Sequence, residues 1–536
     1  MVVAGFVALA LFAWLAVAAL HKWITSNKKY FARKQIPSME VKLLFGSTGP
    51  LIFKQYSFHG FIQYIYNKYS DAKVFGMFDA MTPILVVRDP ELIKKITIKD
   101  FEYFADHRPM FGDSNNDNPY SIFGKTLFAM SGEKWRNTRA TLSPAFTGSK
   151  MRQMFKLVIE CCENVSKHYL NQTKESQKVG LGDLFHRFCT DVIASCAFGF
   201  ETDSFGDRDN DFFTNGKKMM QFDRFSVALR IFGFKFFPSL MGKLGIDIID
   251  RAQARYFRTI IIQAIQERRD KGIVREDMIQ LLIQAKNGML RRQQETDIDE
   301  GFSTVKESEI GKSIAPANMT ENEMIAQAFI FFLGGFETVS TTLTFLVHDL
   351  VMNPDVQVKL YEEIKATDKE LGDKTLNYDV LQKMKYMDMV VTESMRIRPA
   401  VALLDRICTR EYVLDDGEGL KITVDKGTTI WVPVQGLHHD PQYYPNPTKF
   451  DPERFNPENR DTINPFTYLP FGTGPRNCIG CRFALMEVKA LIYYLLLRFS
   501  FERSENTQVP LKLRKGYTIV ASESEVYVDF KRRHQK

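Results

Sequence analysis

A glycine-rich loop around one cysteine limits, more than any other feature, what this chain can fold into. Residues 471–480 read FGTGPRNCIG, and residues 481–497 repeat apolar side chains at helical spacing. Cys478 therefore lies just before the N-terminus of a predicted helix, where backbone N–H groups and the helix dipole favour a thiolate. The glycines of the loop allow positive φ angles and the close approach of a flat ligand. We predict a ligand-binding loop; the alternative is a reactive or structural cysteine.

The other cysteines do not form a disulfide framework. The chain has seven cysteines among 536 residues, an odd count with irregular spacing that is typical of a reducing compartment. Cys478 and Cys481 form a C-x-x-C pair, but a zinc site would need a second pair. The remaining five are predicted to be buried and inert: Cys161, Cys162, Cys189, Cys196 and Cys408.

The first twenty residues contain no charged side chain. As a helix they would reach about 30 Å, the thickness of a bilayer core. Basic residues follow this stretch and do not precede it, which argues against a cleaved signal peptide. By the positive-inside rule, the rest of the chain faces the cytosol. We predict a membrane anchor over residues 1–21, a basic linker over 22–50 and a catalytic domain over 51–536.

A second apolar stretch runs from Phe225 to Leu244 and is interrupted by Arg230, Lys235 and Pro238. These interruptions exclude a membrane span. Two interpretations stay open: the stretch dips into the membrane interface near the anchor, or it packs in the core.

The pattern of the chain predicts an α+β protein that is predominantly α. Between residues 150 and 400 nearly all of the sequence supports helices. Strand-like segments lie toward the two ends, at residues 74–78, 84–87, 428–433, 517–520 and 526–528. No Pro/Gly/Ser-rich linker divides the chain, so we expect one large catalytic unit. The net charge of +7 is spread among acidic residues without a dense basic block, and we assign it no nucleic-acid partner.

A long apolar helix is predicted over residues 324–350, opened by a capping box at residues 320–323. Two adjacent glycines, at 334 and 335, lie in its middle and are followed by Glu337 and Thr338. Each glycine costs about 1 kcal/mol relative to alanine, and a buried acid adds a desolvation cost. Close approach of a ligand, together with a proton relay, would explain these residues together.

Two pairs of residues are predicted to share a helix face. Glu393 and Arg396 lie three apart and can form an ion pair, with an exposed surface pair as the alternative. Trp135 and Arg139 lie four apart and present an indole N–H beside a guanidinium. Both groups are donors without acceptor capacity, so they suit an anion. The alternative for this second pair is a core tryptophan with a surface arginine.

The pattern Phe-x-x-Gly-x-Arg-x-Cys-x-Gly resembles the haem-binding loop of the cytochromes P-450. The resemblance runs from the predicted anchor to the C-terminus, and it implies the cytochrome P-450 fold with small peripheral sheets. It implies that Cys478 is the axial thiolate of haem b. Phe471 then packs beside the sulfur, Gly480 completes the loop, and Arg476 pairs with a haem propionate.

The same resemblance implies roles for residues outside the loop. Trp135, Arg139 and Arg406 match propionate-binding positions, and His107 is a further candidate. The triad that supports the loop consists of Glu393, Arg396 and Arg454.

The segment around Glu337 resembles the distal helix of the family. By this resemblance Thr338 contacts bound dioxygen, and Glu337 helps to deliver the protons that cleave the O–O bond. Two positions depart from the family pattern: Gly334 stands where alanine is usual, and Val339 stands where a second hydroxyl is usual. Ser340 lies about 100° further round the helix. We therefore expect altered proton coupling before loss of activity.

The resemblance to insect microsomal members of the xenobiotic-metabolising clan implies a monooxygenase. Such an enzyme inserts one oxygen atom from O2 into lipophilic substrates, for example insecticides or plant toxins. The chain ends 58 residues after Cys478 and shows no nucleotide-binding loop. Electrons from NADPH would therefore come through a separate NADPH–cytochrome P-450 reductase, with cytochrome b5 as a second candidate donor. The implied location is the endoplasmic reticulum membrane, with the catalytic domain in the cytosol.

Alternatives to this function stay open at the level of sequence. The substrate could be an endogenous hormone or a fatty-acid-type molecule, and the protein could be a reductase-independent haem-thiolate isomerase or a haem sensor. Reductase-dependent consumption of NADPH separates the monooxygenase from the last two. Candidate substrate contacts, each with core packing as its alternative, are Phe111, Tyr120, Phe123, Phe332, Ala400, Val401 and Leu403.

Overall fold

Two compact units make up the structure. The computed structural model describes residues 7, 10–15, 17–18, 21–22, 29–42, 45–109, 122–172, 174–221, 224–289, 301–305, 319–516 and 520–534. The first unit, called the sheet unit here, comprises Met1–Arg108, Ala402–Leu437 and Lys515–Tyr517. The second, the helical unit, comprises Pro109–Val401, His438–Arg514 and Thr518–Lys536. The predicted boundaries at residues 21 and 50 stay predictions.

The sheet unit contains a four-stranded sheet and a two-stranded hairpin. The four strands run in the order β1-β2-β7-β4, in which β2 and β7 are parallel and the other neighbours are antiparallel; β5 and β6 form the hairpin. The strands of this unit are β1 Val74–Asp79, β2 Thr82–Val87, β4 Leu404–Ile407, β5 Tyr412–Asp415, β6 Lys421–Val424 and β7 Thr429–Val432. Its helices are α1 Tyr30–Arg33, α2 Gly49–Ile52, α3 Phe58–Lys68 and α4 Pro90–Lys94.

The core of the sheet unit lies between α3 and the four-stranded sheet. The α3 helix begins where the Ser57 side chain accepts a hydrogen bond from the Gly60 N–H at 3.1 Å. Its apolar residues recur at helical spacing, and Ile62 and Ile65 are fully buried against Phe75 of β1. Each fully buried side chain of this size contributes roughly 1.5–3 kcal/mol. Local periodicity thus decides which face of α3 meets the sheet.

The helical unit contains the longer helices and one three-stranded sheet of order β3-β9-β8. Its strands are β3 Ser176–Gly180, β8 Phe499–Arg503 and β9 Tyr527–Arg532. The helices in its first half are α5 Gly132–Leu142, α6 Gly148–Leu170, α7 Leu181–Ile193, α8 Asp211–Met219, α9 Phe225–Phe236, α10 Pro238–Lys243, α11 Arg251–Lys271 and α12 Met278–Lys286. Those that follow are α13 Glu321–Met352, α14 Pro354–Leu371, α15 Tyr378–Gln382, α16 Lys385–Ile397 and α18 Cys481–Arg498. In α17 Val434–His438, residues 434–437 belong to the sheet unit and His438 belongs to the helical unit.

The α13 helix is the central element of the helical unit. It begins with the predicted capping box, in which Thr320 and Glu323 each bond the other's backbone N–H through a side chain. Its 32 residues extend about 48 Å. Within the described part of the chain, α13 is the one helix long and apolar enough to cross a membrane, and 56% of that apolar stretch is buried inside the protein. It packs along α7, so its apolar character belongs to the core.

The strand predictions are confirmed where the chain is described, but they were incomplete. The segments at 74–78, 84–87, 428–433 and 526–528 correspond to β1, β2, β7 and the start of β9. Three residues of the predicted strand at 517–520 lie outside the described residues, and Val520 is not in a strand. The β3 strand, in the region predicted to be helical, was missed because it forms only by pairing with β9 from the far end of the chain.

The two apolar stretches differ in burial. Described residues between 7 and 22 are helical and mostly exposed, and the membrane anchor stays a prediction. The stretch at 225–244 forms α9 and α10, and it satisfies neither interpretation alone. Phe234 and Met241 are buried in the protein, whereas Leu229, Phe232 and Leu240 are more than half exposed.

Candidate active site

The predicted cysteine loop leads into α18 and presents one thiol to open space. The Cys478 N–H donates to the Phe471 carbonyl at 2.8 Å. Gly472 and Gly474 adopt φ angles of +74° and +72°, which favour glycine, and these turns close the loop. All seven cysteines lie in the described part of the chain; six are buried and Cys478 is exposed. The loop therefore presents Cys478 as the accessible sulfur.

Burial keeps the five thiols that were predicted to be inert in the protonated form. It raises the pKa of Cys161, Cys162, Cys189 and Cys196 well above the ordinary thiol value, and it raises the pKa of Cys408 to about 11. These residues therefore have the inert character that the sequence predicted.

Three of the predicted cofactor-binding residues come together beside the loop. The buried Arg139 guanidinium donates to both the carbonyl and the side-chain oxygen of Asn477, at 2.8 and 2.7 Å. The Arg476 guanidinium lies 4.1 Å from the centre of the Trp135 ring and donates to the Met130 carbonyl at 2.7 Å. Trp135 is 1% exposed. Two guanidinium groups and an indole thus meet at the residues that precede the cysteine, a donor set that suits an anion.

An open pocket, whose 380 Å³ or so of empty space includes the part that is open to solvent, lies within the helical unit and is called the cavity here. Of the predicted site residues, Thr338 of α13 lines it together with Phe471 of the loop and Ala400 after α16. The rest of the lining is apolar apart from one more threonine, and consists of Val339, Thr342, Met395, Pro470, Ala484, Leu485 and Val488. The cavity therefore joins the cysteine loop to the predicted oxygen-handling helix.

The hydroxyl of Thr338 is oriented by its own helix. Its Oγ1 donates to the Gly334 carbonyl at 2.5 Å, so the hydrogen is committed and the oxygen lone pairs stay available as acceptors. Val339, at the position where a second hydroxyl is usual, is buried and lines the cavity. Ser340 does not replace that hydroxyl, because its Oγ donates to the Glu337 carbonyl at 3.1 Å. The expectation of altered proton coupling stays a prediction.

The two glycines of α13 differ in their surroundings. A Cβ atom built on the exposed Gly334 meets nothing within 4 Å, so no described neighbour requires glycine there. A Cβ atom on Gly335 would lie 3.3 Å from Ile193 of α7. Close helix packing therefore explains Gly335, and the single explanation predicted for both glycines was too broad.

Glu337 is paired with a histidine that sequence reasoning missed. His186 Nε2 lies 3.1 Å from Glu337 Oε2, and the two side chains are 27% and 18% exposed. The residues are 151 positions apart, and His186 lies on α7 without any motif around it. Periodicity identifies the faces of the two helices but not this contact.

The predicted triad is assembled around a fully buried carboxylate. Arg396 donates to the two oxygens of Glu393 at 2.7 and 2.9 Å, and the Asp451 N–H donates to Oε1 at 2.9 Å. Arg454 Nε lies 3.4 Å from Oε1. Glu393 and Arg396 are both 0% exposed. A buried ion pair needs such additional hydrogen bonds to offset desolvation.

His438, also missed by the sequence analysis, connects the triad to the loop. Its Nδ1 lies 3.0 Å from the Arg396 carbonyl, and its Nε2 accepts from the Leu469 N–H at 2.8 Å. Because a carbonyl only accepts and an amide N–H only donates, the ring is neutral with its hydrogen on Nδ1. Leu469 lies two residues before Phe471, so the orientation of Arg396 is transmitted to the start of the loop.

Arg406 and His107 belong to the sheet unit. Arg406, on β4, is 2% exposed; it donates to the Asp405 carbonyl at 2.7 Å, and its buried Nε has no hydrogen-bond partner among the described residues. Burial lowers its pKa. His107 Nδ1 lies 2.9 Å from Asp405 Oδ1. Burial alone would raise the pKa of Asp405, but His107 and the Arg108 N–H outweigh it and lower that pKa to about 2.

The predicted substrate contacts are dispersed. Ala400 lines the cavity, as described above, whereas Phe111 and Tyr120 lie outside the described residues. Phe332 is fully buried, with its ring 4.7 Å from that of Phe257, as in core packing. Of the others, Phe123 is buried in the helical unit and Val401 is 46% exposed. Leu403 packs against the core of the sheet unit.

Comparison with known proteins identifies the family. A family model described as Cytochrome P450 matches residues 37–530. The chain is 41% identical to Cytochrome P450 9e2 of Blattella germanica over 511 residues, which cover 92% of each protein. It is 39% identical to Probable cytochrome P450 9f2 of Drosophila melanogaster, over 94% of this chain and 95% of the relative. It is 32% identical to Cytochrome P450 3A9 of Rattus norvegicus, over 94% of this chain and 92% of the relative.

Members of this family use haem, and a reductase supplies them with electrons from NADPH. The described fold, mostly helical with small sheets, agrees with that assignment. The chain therefore belongs to the cytochrome P450 family and is a haem-thiolate monooxygenase.

Proposed function

We propose that Cys478 is the thiolate that holds the haem iron on the open side of the loop. The observation that carries this proposal is its exposure: it is the one exposed cysteine of seven, and it is hydrogen-bonded to Phe471, which lines the cavity. The thiol also precedes the N-terminus of α18, where negative charge is favoured. Thr338 lines the cavity in which a flat ligand would fit.

Haem, when bound, supplies a redox-active iron at which dioxygen is activated. In this proposal Trp135, Arg139 and Arg476 hold the propionates, because they form a buried donor set beside the loop. Gly480 and Phe471 complete the loop. The propionate roles of Arg406 and His107 stay predictions from the resemblance. The triad of Glu393, Arg396 and Arg454 supports the loop through His438.

Thr338 and Glu337 handle protons on the opposite side of the cavity in this proposal. Thr338 accepts a hydrogen bond at the cavity, since its own hydrogen is donated to Gly334. Glu337, the preceding residue, supplies protons from the outer side of α13. The contact of Glu337 with His186 keeps its carboxylate on that side.

The proposed substrates are lipophilic organic molecules, with xenobiotics such as insecticides or plant toxins as the class to test first. The apolar lining of the cavity, which includes Val339, Met395 and Leu485, favours such molecules over charged ones. Relatives in two insect species support the same class. We further propose an anchor at residues 1–21, a location at the endoplasmic reticulum membrane, NADPH–cytochrome P-450 reductase as the electron donor and cytochrome b5 as an auxiliary donor.

The test is the absorption spectrum of the reduced, carbon monoxide-bound protein. A Soret band near 450 nm that is lost in Cys478→Ser would support thiolate ligation at this residue. Cys481→Ser is the matched control, since it removes the buried neighbouring thiol and should keep the band. A band that survives in Cys478→Ser, or well-folded protein that takes up no haem, would overturn the proposal.

A further inference from the structure

An imidazole and a carboxylate meet on the outer side of the oxygen-handling helix. His186 Nε2 faces Glu337 Oε2 at 3.1 Å, and His186 Nδ1 lies 2.7 Å from the Gly182 carbonyl oxygen. A carbonyl oxygen can only accept, so Nδ1 carries a hydrogen. Nε2 is therefore the one nitrogen of this ring that can take up or release a proton toward Glu337.

The 3.1 Å contact between Nε2 and Oε2 requires a hydrogen between the two atoms. A bare nitrogen lone pair and a carboxylate are both acceptors, and they can be hydrogen-bonded only when one of them is protonated. Two arrangements satisfy the contact: an imidazolium facing a carboxylate, or a neutral imidazole facing a carboxylic acid. They differ only in the position of that proton. The Phe336 ring, 4.8 Å from the imidazole ring, and the Gly182 carbonyl hold the imidazole in place for both.

The pair lies at a partly exposed position next to a residue that lines the cavity. Both side chains are partly exposed, and the residue after Glu337 is Thr338, which lines the cavity. Charged groups around the pair are engaged elsewhere: Asp183 bonds Arg187, and Glu525 accepts from the Gly182 N–H. Glu487 of α18 is buried near Cys189, which lies on α7 as His186 does. Within the described residues, none of these groups is hydrogen-bonded to His186 or to Glu337.

We propose that His186 is a positioning residue for proton delivery. It holds the Glu337 carboxylate on the solvent side of α13 and donates the proton that Glu337 passes toward Thr338. Water then reprotonates Nε2, so each proton that leaves the pair is replaced and no other reactant is consumed. The inference rests on the proposed roles of Glu337 and Thr338, and it adds a third member to that relay.

The test compares how electrons are used by full-length, haem-loaded variants reconstituted with reductase and 7-ethoxycoumarin as the probe substrate. His186→Leu removes both the hydrogen bond and the proton. A positioned acid or base typically contributes 10²–10⁴-fold, and we expect partial loss here: roughly 10-fold less product per NADPH, with hydrogen peroxide in its place. His186→Gln can keep a hydrogen bond to Glu337 but cannot titrate. It should retain more coupling than His186→Leu, and it should lack the pH dependence of coupling that we expect of wild type.

The matched control is His534→Gln. His534 forms an exposed histidine–carboxylate pair with Glu175 at 2.8 Å, and that pair contributes nothing to the cavity lining. This variant should have wild-type coupling. If His186→Leu, with an intact 450 nm band, has the coupling and pH profile of His534→Gln, the inference is overturned.

A double-mutant cycle distinguishes the proposed role of His186 from simple misfolding of the variant. In a Glu337→Gln background, His186→Leu should cause no further loss of coupling, because His186 acts through that carboxylate. If the two substitutions reduce coupling independently, so that their effects multiply in the double variant, the proposal is refuted. Failure of the proposed function would look different: wild type would then lack a Cys478-dependent 450 nm band, whatever residue stands at 186.

Discussion

Glu487 gives a prediction whose magnitude follows directly from its surroundings. The residue lies on α18 and is 0% exposed, and its carboxylate lies beside the buried Cys189 thiol. Burial raises its pKa from 4.5 to about 8, and the neighbouring Cys189 opposes this only in part. At neutral pH the folded protein therefore holds Glu487 as a neutral acid, while the unfolded chain ionises it.

This difference makes stability fall as the pH rises. Below pH 4.5 the carboxyl is protonated in both states and contributes nothing to the pH dependence. Between pH 4.5 and 8 the unfolded chain releases a proton that the folded protein keeps, so each pH unit favours unfolding by about 1.4 kcal/mol. Between pH 6 and 7.5 the loss from this one group is about 2 kcal/mol.

Glu487→Gln should remove that loss, because glutamine has nearly the same shape and does not titrate. The measurement is urea unfolding of the haem-loaded protein at pH 6, 6.75 and 7.5 and constant ionic strength, followed by circular dichroism. The stability of the variant relative to wild type should increase by about 2 kcal/mol across this range. Glu505→Gln, at a side chain that is 85% exposed, is the control, and its unfolding free energy should change with pH as that of wild type does. If the unfolding free energy of Glu487→Gln also changes with pH as that of wild type does, the reasoning is refuted.

Three further substitutions test the support of the cysteine loop. Glu393→Gln leaves the Arg396 charge buried without its carboxylate and should cost about 3–5 kcal/mol in unfolding free energy, measured by urea titration. His438→Leu removes two buried hydrogen bonds that connect Arg396 to the loop, and it should convert a large part of the 450 nm carbon monoxide band to one near 420 nm; an unchanged spectrum would contradict this role. Arg139→Lys keeps the charge but loses the two-bond contact with Asn477, so unfolding stability should fall by about 1.5–3 kcal/mol, and a neutral effect would argue against that contact.

Much of the site could be predicted because its signals are local. The capping box of α13, the glycines with positive φ before Cys478 and the i,i+3 spacing of Glu393 and Arg396 each depend on a few neighbouring residues. Short-range sterics and helical periodicity encode such features in the order of the residues. The sequence by itself therefore determined the loop, its cysteine and the helix that faces it.

Contacts between distant segments were decided only by the tertiary structure. The pairing of His186 with Glu337 requires α7 and α13 to pack along each other, and the same packing explains Gly335. His438 acquires its role only because the segment before the loop folds against α16. The pKa of Glu487 depends on the exclusion of water, which no local pattern records. Periodicity specifies the face that a residue occupies, whereas its partner and the polarity of its surroundings depend on which segments pack together.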